Sequence, residues 1–324
     1  MSKNIVQPSI EKPVATTNDV ALPAETAEHK KYRARVEAKI RRRKMVTTLQ
    51  LSLIYLFLIV MTIFALFPIY FVFQASFAGS QNLYTTDLHL LPVNPSWDNY
   101  VYAFTQEPLL AWLGNTLFVC GLSTVLGLFF SMTGAYALSR FRFKGRRLSL
   151  NLLLVLQAFP GLLAISAYYY LLQYLNLLDS APLLGLTLIY VASSLVFSCW
   201  NIKGYFDTLP IELDQAAIID GASHWQAFWR VVLPLAAPAL AASGLLIFVG
   251  SWSEFAIANY ILNANDTGSN LTFILGLVRL QGDFRTPWGY FAATSIIISV
   301  PLVAVFLFAQ RFFKSGLTVG SVKG

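Results

Sequence analysis

Charge is what this sequence has least of. Only 12% of its 324 residues are Asp, Glu, Lys or Arg, about half the roughly 25% of a soluble domain. Cysteine is nearly absent: Cys120 and Cys199 are the only two, which excludes a disulfide scaffold. Both fall in apolar surroundings and read as small packing residues. The three histidines, His29, His89 and His224, are scattered, so no metal site is expected. There is no Gly-Lys dipeptide, and a phosphate-cradling P-loop requires one. Any ATP must therefore be used by a partner. No His-Glu-x-x-His or Gly-x-Ser-x-Gly motif occurs; no catalytic residue and no cofactor is expected. The first 28 residues are polar and lack the apolar run of a signal peptide.

Apolar residues fill the space that charge leaves. They make up 56% of the chain, with 15% aromatics and a mean hydropathy of +0.59. The charges are missing in blocks: residues 45–86, 108–139, 148–178, 180–202, 231–253 and 286–310 contain none. About 20 apolar residues cross a hydrocarbon core as a helix. The blocks predict an all-α polytopic membrane protein with six spans, near 48–73, 112–138, 148–172, 182–202, 236–259 and 287–310. The period-two alternation of barrel strands is lacking. The transmembrane domain then covers 45–310, between a polar and basic tail (1–44) and a C-terminal tail (311–324).

Of the 23 basic residues, only Arg279 and Arg285 fall on one side of this arrangement. The other 21 lie before residue 45, in 140–147, in 203–230 and after 310. The positive-inside rule makes that side cytoplasmic, with both termini inside. The net charge of +7 is thus a topology signal, and no nucleic-acid partner is expected. The basic run His29–Lys44 reads as a disordered tail with an anchor at anionic lipid headgroups.

One carboxylate stands out. Glu254 follows Ser251-Trp252-Ser253 well inside the fifth span, where a buried charge is costly. Two readings fit: a polar wall of a solute pathway formed by Ser251, Trp252, Ser253 and Glu254, or an interhelical hydrogen-bond anchor. Prolines 68, 160, 238 and 301 also punctuate the spans.

The segment 203–234 is the longest internal cytoplasmic stretch, and its pattern predicts order. Pro210 suits a first helical turn, and Glu212 and Asp214 favour a helix N-terminus. Asp220-Gly221 breaks that helix. Ser223 and Gln226 predict a capping box for a second helix ending before Leu233-Pro234. Ala216 and Ala217 give a surface that a partner can approach closely; packing on the chain's own bundle is the competing reading.

Here the residues resemble a family. Gln215-Ala216-Ala217-x-x-Asp220-Gly221-Ala222, eight residues, then Val231-x-Leu233-Pro234, looks like the EAA loop of ABC-importer permeases. Gly134-Ala135-Tyr136-Ala137, Arg140-Phe141-Arg142-Phe143, Trp200–Phe206 and the tail Gly316–Gly324 are similar to the carbohydrate branch, notably the smaller permease subunit of maltose/maltodextrin importers. The resemblance covers about 48–324. It implies a bacterial inner-membrane permease paired with a second, homologous permease. It also implies two cytoplasmic ATPase subunits and an extracytoplasmic sugar-binding protein. The coupling loop (Gln215, Ala216, Ala217, Asp220, Gly221, Ala222, Leu233, Pro234) would fit an ATPase cleft. The tail (Gly316, Thr318, Gly320, Lys323, Gly324) would reach the ATPase interface. The outer loop with Asn263, Asn265, Asp266 and Asn270 would meet the binding protein. The family loop usually has Glu where this chain has Gln215, which keeps the hydrogen-bonding reach and loses the charge. A permease for a polyol or glycerol phosphate is the runner-up; a self-sufficient secondary transporter or channel is a further alternative.

Overall fold

A computed structural model describes residues 27–79, 91–92, 94–262, 270–281 and 286–319. Among them all regular structure is helical. That is the expected solution for long apolar segments in lipid, where every backbone group must be satisfied within the segment.

The chain divides into two units, Met1–Phe67 and Pro68–Gly324. The first is helical from Ala27, within α1 (Ala27–Ser76). Its described residues from 38 to 67 are all exposed. The basic run expected as a disordered tail is helical instead. Ala, Glu, Lys and Arg dominate it, all good helix formers, and it continues directly into the apolar span.

The second unit is a helical bundle. After the last turns of α1 come α2 (Asp98–Thr105) and α3 (Leu109–Arg140), then α4 (Arg146–Ala158), α5 (Ile165–Tyr174), α6 (Leu177–Ser180) and α7 (Pro182–Phe206). The segment 203–234 holds α8 (Glu212–Ile219) and α9 (His224–Ala227). A π-helical turn at Phe228–Val232 leads into α10 (Leu233–Leu235). The bundle is completed by α11 (Ala237–Ser253), α12 (Ala256–Leu262), α13 (Phe273–Arg279) and α14 (Trp288–Val319). α3 and α7 are the central pair, and α11 packs on both of them and on α14. Gly127 of α3 is needed there: a Cβ would fall 2.9 Å from Ser194 Oγ of α7.

Two apolar clusters form the core. One surrounds Trp112, Tyr190, Trp252 and Phe273; the other surrounds Tyr136, Phe206 and Phe228. Both cysteines are buried in them.

Among the described residues, four helices are long and apolar enough to cross a membrane: Ala38–Ser76, Leu109–Arg140, Pro182–Phe206 and Trp288–Phe313. One pair, His224–Leu235 and Ala237–Ser253, bent by 80°, passes the same test of length and composition only when taken together. The expected helix over 148–172 is divided in two. Pro160 lacks an N–H and pushes Phe159 to extended backbone (ψ 126°), and a 3₁₀ turn at Gly161–Ala164 connects α4 to α5. The fifth expected helix, 236–259, breaks at Glu254, which is also extended (ψ 123°).

Two further ends differ from expectation. The second loop helix runs through Pro234 rather than stopping before Leu233. The π turn lets Leu233 N–H reach back five residues to Phe228 O, the kind of ladder adjustment that admits a proline. α14 likewise continues past 310, so Gly316 and Thr318 lie in a helix. Gly320, Lys323 and Gly324 lie outside the described residues.

Candidate functional site

The segment 203–234 is held by a buried ion pair. Asp214, in the first turn of α8, is 5% exposed. Arg140 Nε at the end of α3 donates to its Oδ2 at 2.8 Å, and Tyr136 Oη donates to its Oδ1 at 3.0 Å. The same guanidinium donates to Phe206 O at 3.0 Å and Leu209 O at 3.2 Å. One arginine thus ties together the ends of α3 and α7 and the start of α8. Fully hydrogen-bonded partners are what make a buried pair tolerable.

A second tie lies beside it. Asp207 accepts from Ser139 Oγ at 2.6 Å and from Lys203 Nζ at 2.5 Å. Burial alone would raise the Asp207 carboxyl, but the bonds from Lys203 and Ser139 outweigh it and hold the group below its usual range. A depressed carboxyl stabilises the fold above its unfolded pKa and loses that contribution only as pH falls through the lower folded value. The tie therefore persists across the physiological range.

α8 ends in a Schellman motif. Ala222 N–H donates to Ala217 O at 2.9 Å and Gly221 N–H to Ile218 O at 3.0 Å. Gly221 sits at φ +90°, a region that only glycine enters cheaply. The predicted capping box then starts α9: Gln226 N–H donates to Ser223 Oγ at 3.2 Å and Ser223 N–H to Gln226 Oε1 at 2.9 Å. Ser223→Ala should cost about 1 kcal/mol, read as a lower unfolding temperature of the purified chain. Phe228 anchors this arm, its ring 4.7 Å from that of Tyr136.

What remains outside forms a surface. Gln215, Ala216, Asp220, Gly221 and Pro234 are exposed, Ala217 and Ala222 half-buried, and Leu233 buried. Ile219 is 85% exposed, and Ile218, Trp225 and Trp229 also face outward. An apolar, low-relief patch on ordered backbone is the kind of surface that marks a protein contact.

Glu254 occupies the break between α11 and α12. Its Oε1 accepts from Ile257 N–H at 2.8 Å. Its Oε2 accepts from Ala258 N–H at 2.9 Å and from Tyr190 Oη of α7 at 2.7 Å. The carboxylate caps one helix and holds another, as the anchor reading requires. It also lines a cavity of about 230 Å³ between α7 and α11, together with Ser251. Trp252 is elsewhere, buried and stacked on Phe248 with centroids 5.3 Å apart, and Ser253 is exposed. Glu254→Gln places an NH₂ against a donor, so it should cost about 1–3 kcal/mol. A drop in the melting temperature in detergent larger than that of Tyr190→Phe would verify this.

Of the four residues expected to meet a binding protein, Asn270 is exposed. Thr116 Oγ1 accepts from Phe273 N–H at 2.7 Å, and Asn115 donates to Leu271 O at 3.0 Å, so α3 pins the chain just beyond Asn270. Asn263, Asn265 and Asp266 lie outside the described residues.

Comparison with known proteins decides the family. The model of the binding-protein-dependent transport system inner membrane component matches residues 123–319, the stretch that contains the segment 203–234 and the cavity. The chain belongs to that family. This inner membrane component is a multi-pass transport subunit, not an enzyme. The maltose/maltodextrin transport system permease protein MalG of Vibrio vulnificus is 37% identical over 256 residues, spanning 72% of this chain and 84% of that protein. The maltodextrin transport system permease protein MalD of Streptococcus pneumoniae is 31% identical over 283 residues, spanning 87% and 98%. A bacterial ABC transporter involved in the import of the acidic polysaccharide alginate shares the fold. Its TM-score is 0.68 at 23% identity, over 84% of this chain and 97% of that one.

Sequence reasoning gave Asp214 to the helix dipole and Arg140 to topology. It did not pair them, because 74 residues separate them. The available signal was an acid beside apolar Leu213 in a helix for which packing on the bundle was the competing reading.

Proposed function

We propose that this chain is the permease subunit of an ATP-driven importer that moves maltose, maltodextrin or a related sugar by alternating access. The observation that carries the reading is the coupling loop. Its exposed Gln215–Ala222 segment is fixed by the Gly221 turn and rooted in the bundle through Arg140 and Asp214. The two maltodextrin permease relatives support the sugar. In this scheme a second, homologous permease completes the pore, and two ATPase subunits sit below. Their ATP-bound closure pulls the loop at 211–234, and the bundle opens outward. A ligand shifts such an equilibrium only through its differential affinity for the two states.

A sugar-binding protein delivers substrate from outside, meeting the loop of Asn263, Asn265, Asp266 and Asn270. Gly316, Thr318, Gly320, Lys323 and Gly324 meet the ATPases. The six-span topology with cytoplasmic termini counts α4 and α5 as one broken crossing.

Reconstitution tests the reading. With the partner permease, ATPases and binding protein in proteoliposomes, ATP should drive maltose uptake; the chain alone should give none. Uptake by the chain alone along an ion gradient would replace this reading with a secondary transporter.

A further inference from the structure

The short helix α2 turns an apolar face away from the protein. Its other face is packed: Asn99 and Ala103 are buried. Trp97, Val101 and Phe104 fall together at helical spacing, and they are 67%, 56% and 52% exposed. Asp98 is the one charged residue of the helix, and at about 100° per residue it lies to the side of that face. Single exposed apolar residues are ordinary, but a contiguous apolar face marks a contact.

The place of α2 in the fold says what covers the face. Residues 106–108 alone separate it from α3. α3 has 32 residues, about 48 Å of helix at 1.5 Å per residue. A bilayer is about 30 Å thick in its hydrocarbon core and about 40–45 Å with its headgroups. With Arg140 at one end of α3, the other end and α2 beside it reach the opposite headgroup level. The eight residues of α2 are far too few to cross.

α2 is tied down at that level. Asn99 Nδ2 donates to Ser76 O and Ala78 O at the end of α1, both at 2.9 Å. Tyr100 Oη and Ser76 Oγ share a hydrogen bond of 2.8 Å. Tyr102 stacks on Tyr290 in the first turn of α14, with centroids 3.8 Å apart. A Cβ on Gly289 would fall 2.7 Å from Asn99 Nδ2, so α14 starts hard against α2.

The exposed face also continues the apolar surface of the spanning helices. Phe73 of α1 and Leu110 of α3 are both exposed. The Phe73 ring lies 5.1 Å from Phe77, and Phe77 lies 4.9 Å from Trp97. Aromatic side chains thus run without a gap from a spanning helix onto α2. Trp and Tyr concentrate where hydrocarbon meets headgroups. An interfacial helix buries its apolar face about 5–10 Å into that boundary.

We propose that α2 is an interfacial anchor. Trp97, Val101 and Phe104 insert into the leaflet on the side of the bundle away from Arg140. Asn99, Tyr100 and Tyr102 then seat the ends of α1 and α14 at the same depth. The occupant of the face is phospholipid, whatever solute the subunit carries.

The test uses the whole reconstituted transporter in phosphatidylethanolamine–phosphatidylglycerol vesicles. A nitroxide is attached in turn at Asp98→Cys, Val101→Cys and Phe104→Cys, with the unsubstituted chain reporting the background of the two buried cysteines. Collisions are measured with oxygen, which concentrates in hydrocarbon, and with a water-soluble nickel chelate. Oxygen should dominate at 101 and 104, and the order should reverse at 98. Chelate dominance at all three positions puts the face in water and overturns the proposal. Few collisions with either probe at 101 and 104 reveal a protein neighbour, such as the partner permease, and overturn it too. So does a loss of oxygen collisions there when sugar-loaded binding protein is added. A second measurement leaves Val101 and Phe104 in place. Lipids brominated near the top of their acyl chains should quench a smaller share of tryptophan emission in Trp97→Phe than in the unsubstituted chain. Equal quenching overturns the anchor.

Discussion

Asp214→Ala should abolish coupled transport while the bundle still inserts. The substitution leaves the Arg140 guanidinium 7% exposed without its carboxylate. Removing one partner of a buried pair costs about 3–5 kcal/mol, a large share of the 5–15 kcal/mol that holds a typical fold together. Arg140 keeps its bonds to Phe206 O and Leu209 O, and those stay on α7 and the residues after it. The lost bonds are the ones to α8. The loop should therefore loosen selectively. In proteoliposomes, ATP-driven sugar uptake should vanish and ATPase co-purification should weaken. Arg140→Met with Asp214→Leu removes both charges and should cost less than the single change, because replacing a buried pair by apolar residues is often neutral. A double variant as damaged as the sum of both singles would show that the pair is not what roots the loop.

Gly221→Pro should uncouple the subunit from its ATPases. Proline fixes φ near −65°, whereas Gly221 sits at +90°. The change also deletes the N–H that reaches Ile218 O at 3.0 Å. The combined cost is roughly 3 kcal/mol or more, falling on an exposed turn with no Cβ neighbour. The chain leaving α8 would be redirected, and Ser223 would no longer start α9 in place. Membrane insertion should be normal, with ATPase co-purification and transport lost. Gly221→Ala pays only the left-handed cost of about 1–2 kcal/mol and should retain part of both. Normal transport by the proline variant would remove the turn from the coupling role.

Much of this was legible in local sequence. Charge-free blocks located α3 and α7 within a few residues, and the starts of α11 and α14 but not their ends. Asp220-Gly221 located the helix break, and Ser223 with Gln226 the capping box, because both devices act over three or four residues. The illegible parts were those decided at a distance or by backbone compromise. Asp214 finds Arg140 across 74 residues. Glu254 finds Tyr190 across 64, which gives the carboxylate the hydrogen bonds of the anchor reading. The π turn before Pro234 has no short-range signature.

The Arg140 node has a mechanical meaning. Covalently, the loop hangs from α7 by the short connector between Phe206 and Glu212. The guanidinium adds a second, parallel strut to α3, a helix 74 residues away along the chain. A force applied at Ile219 is thus shared by two columns of the bundle. The joint resists twisting about the connector, and a small stroke at the loop arrives at the membrane helices with little play.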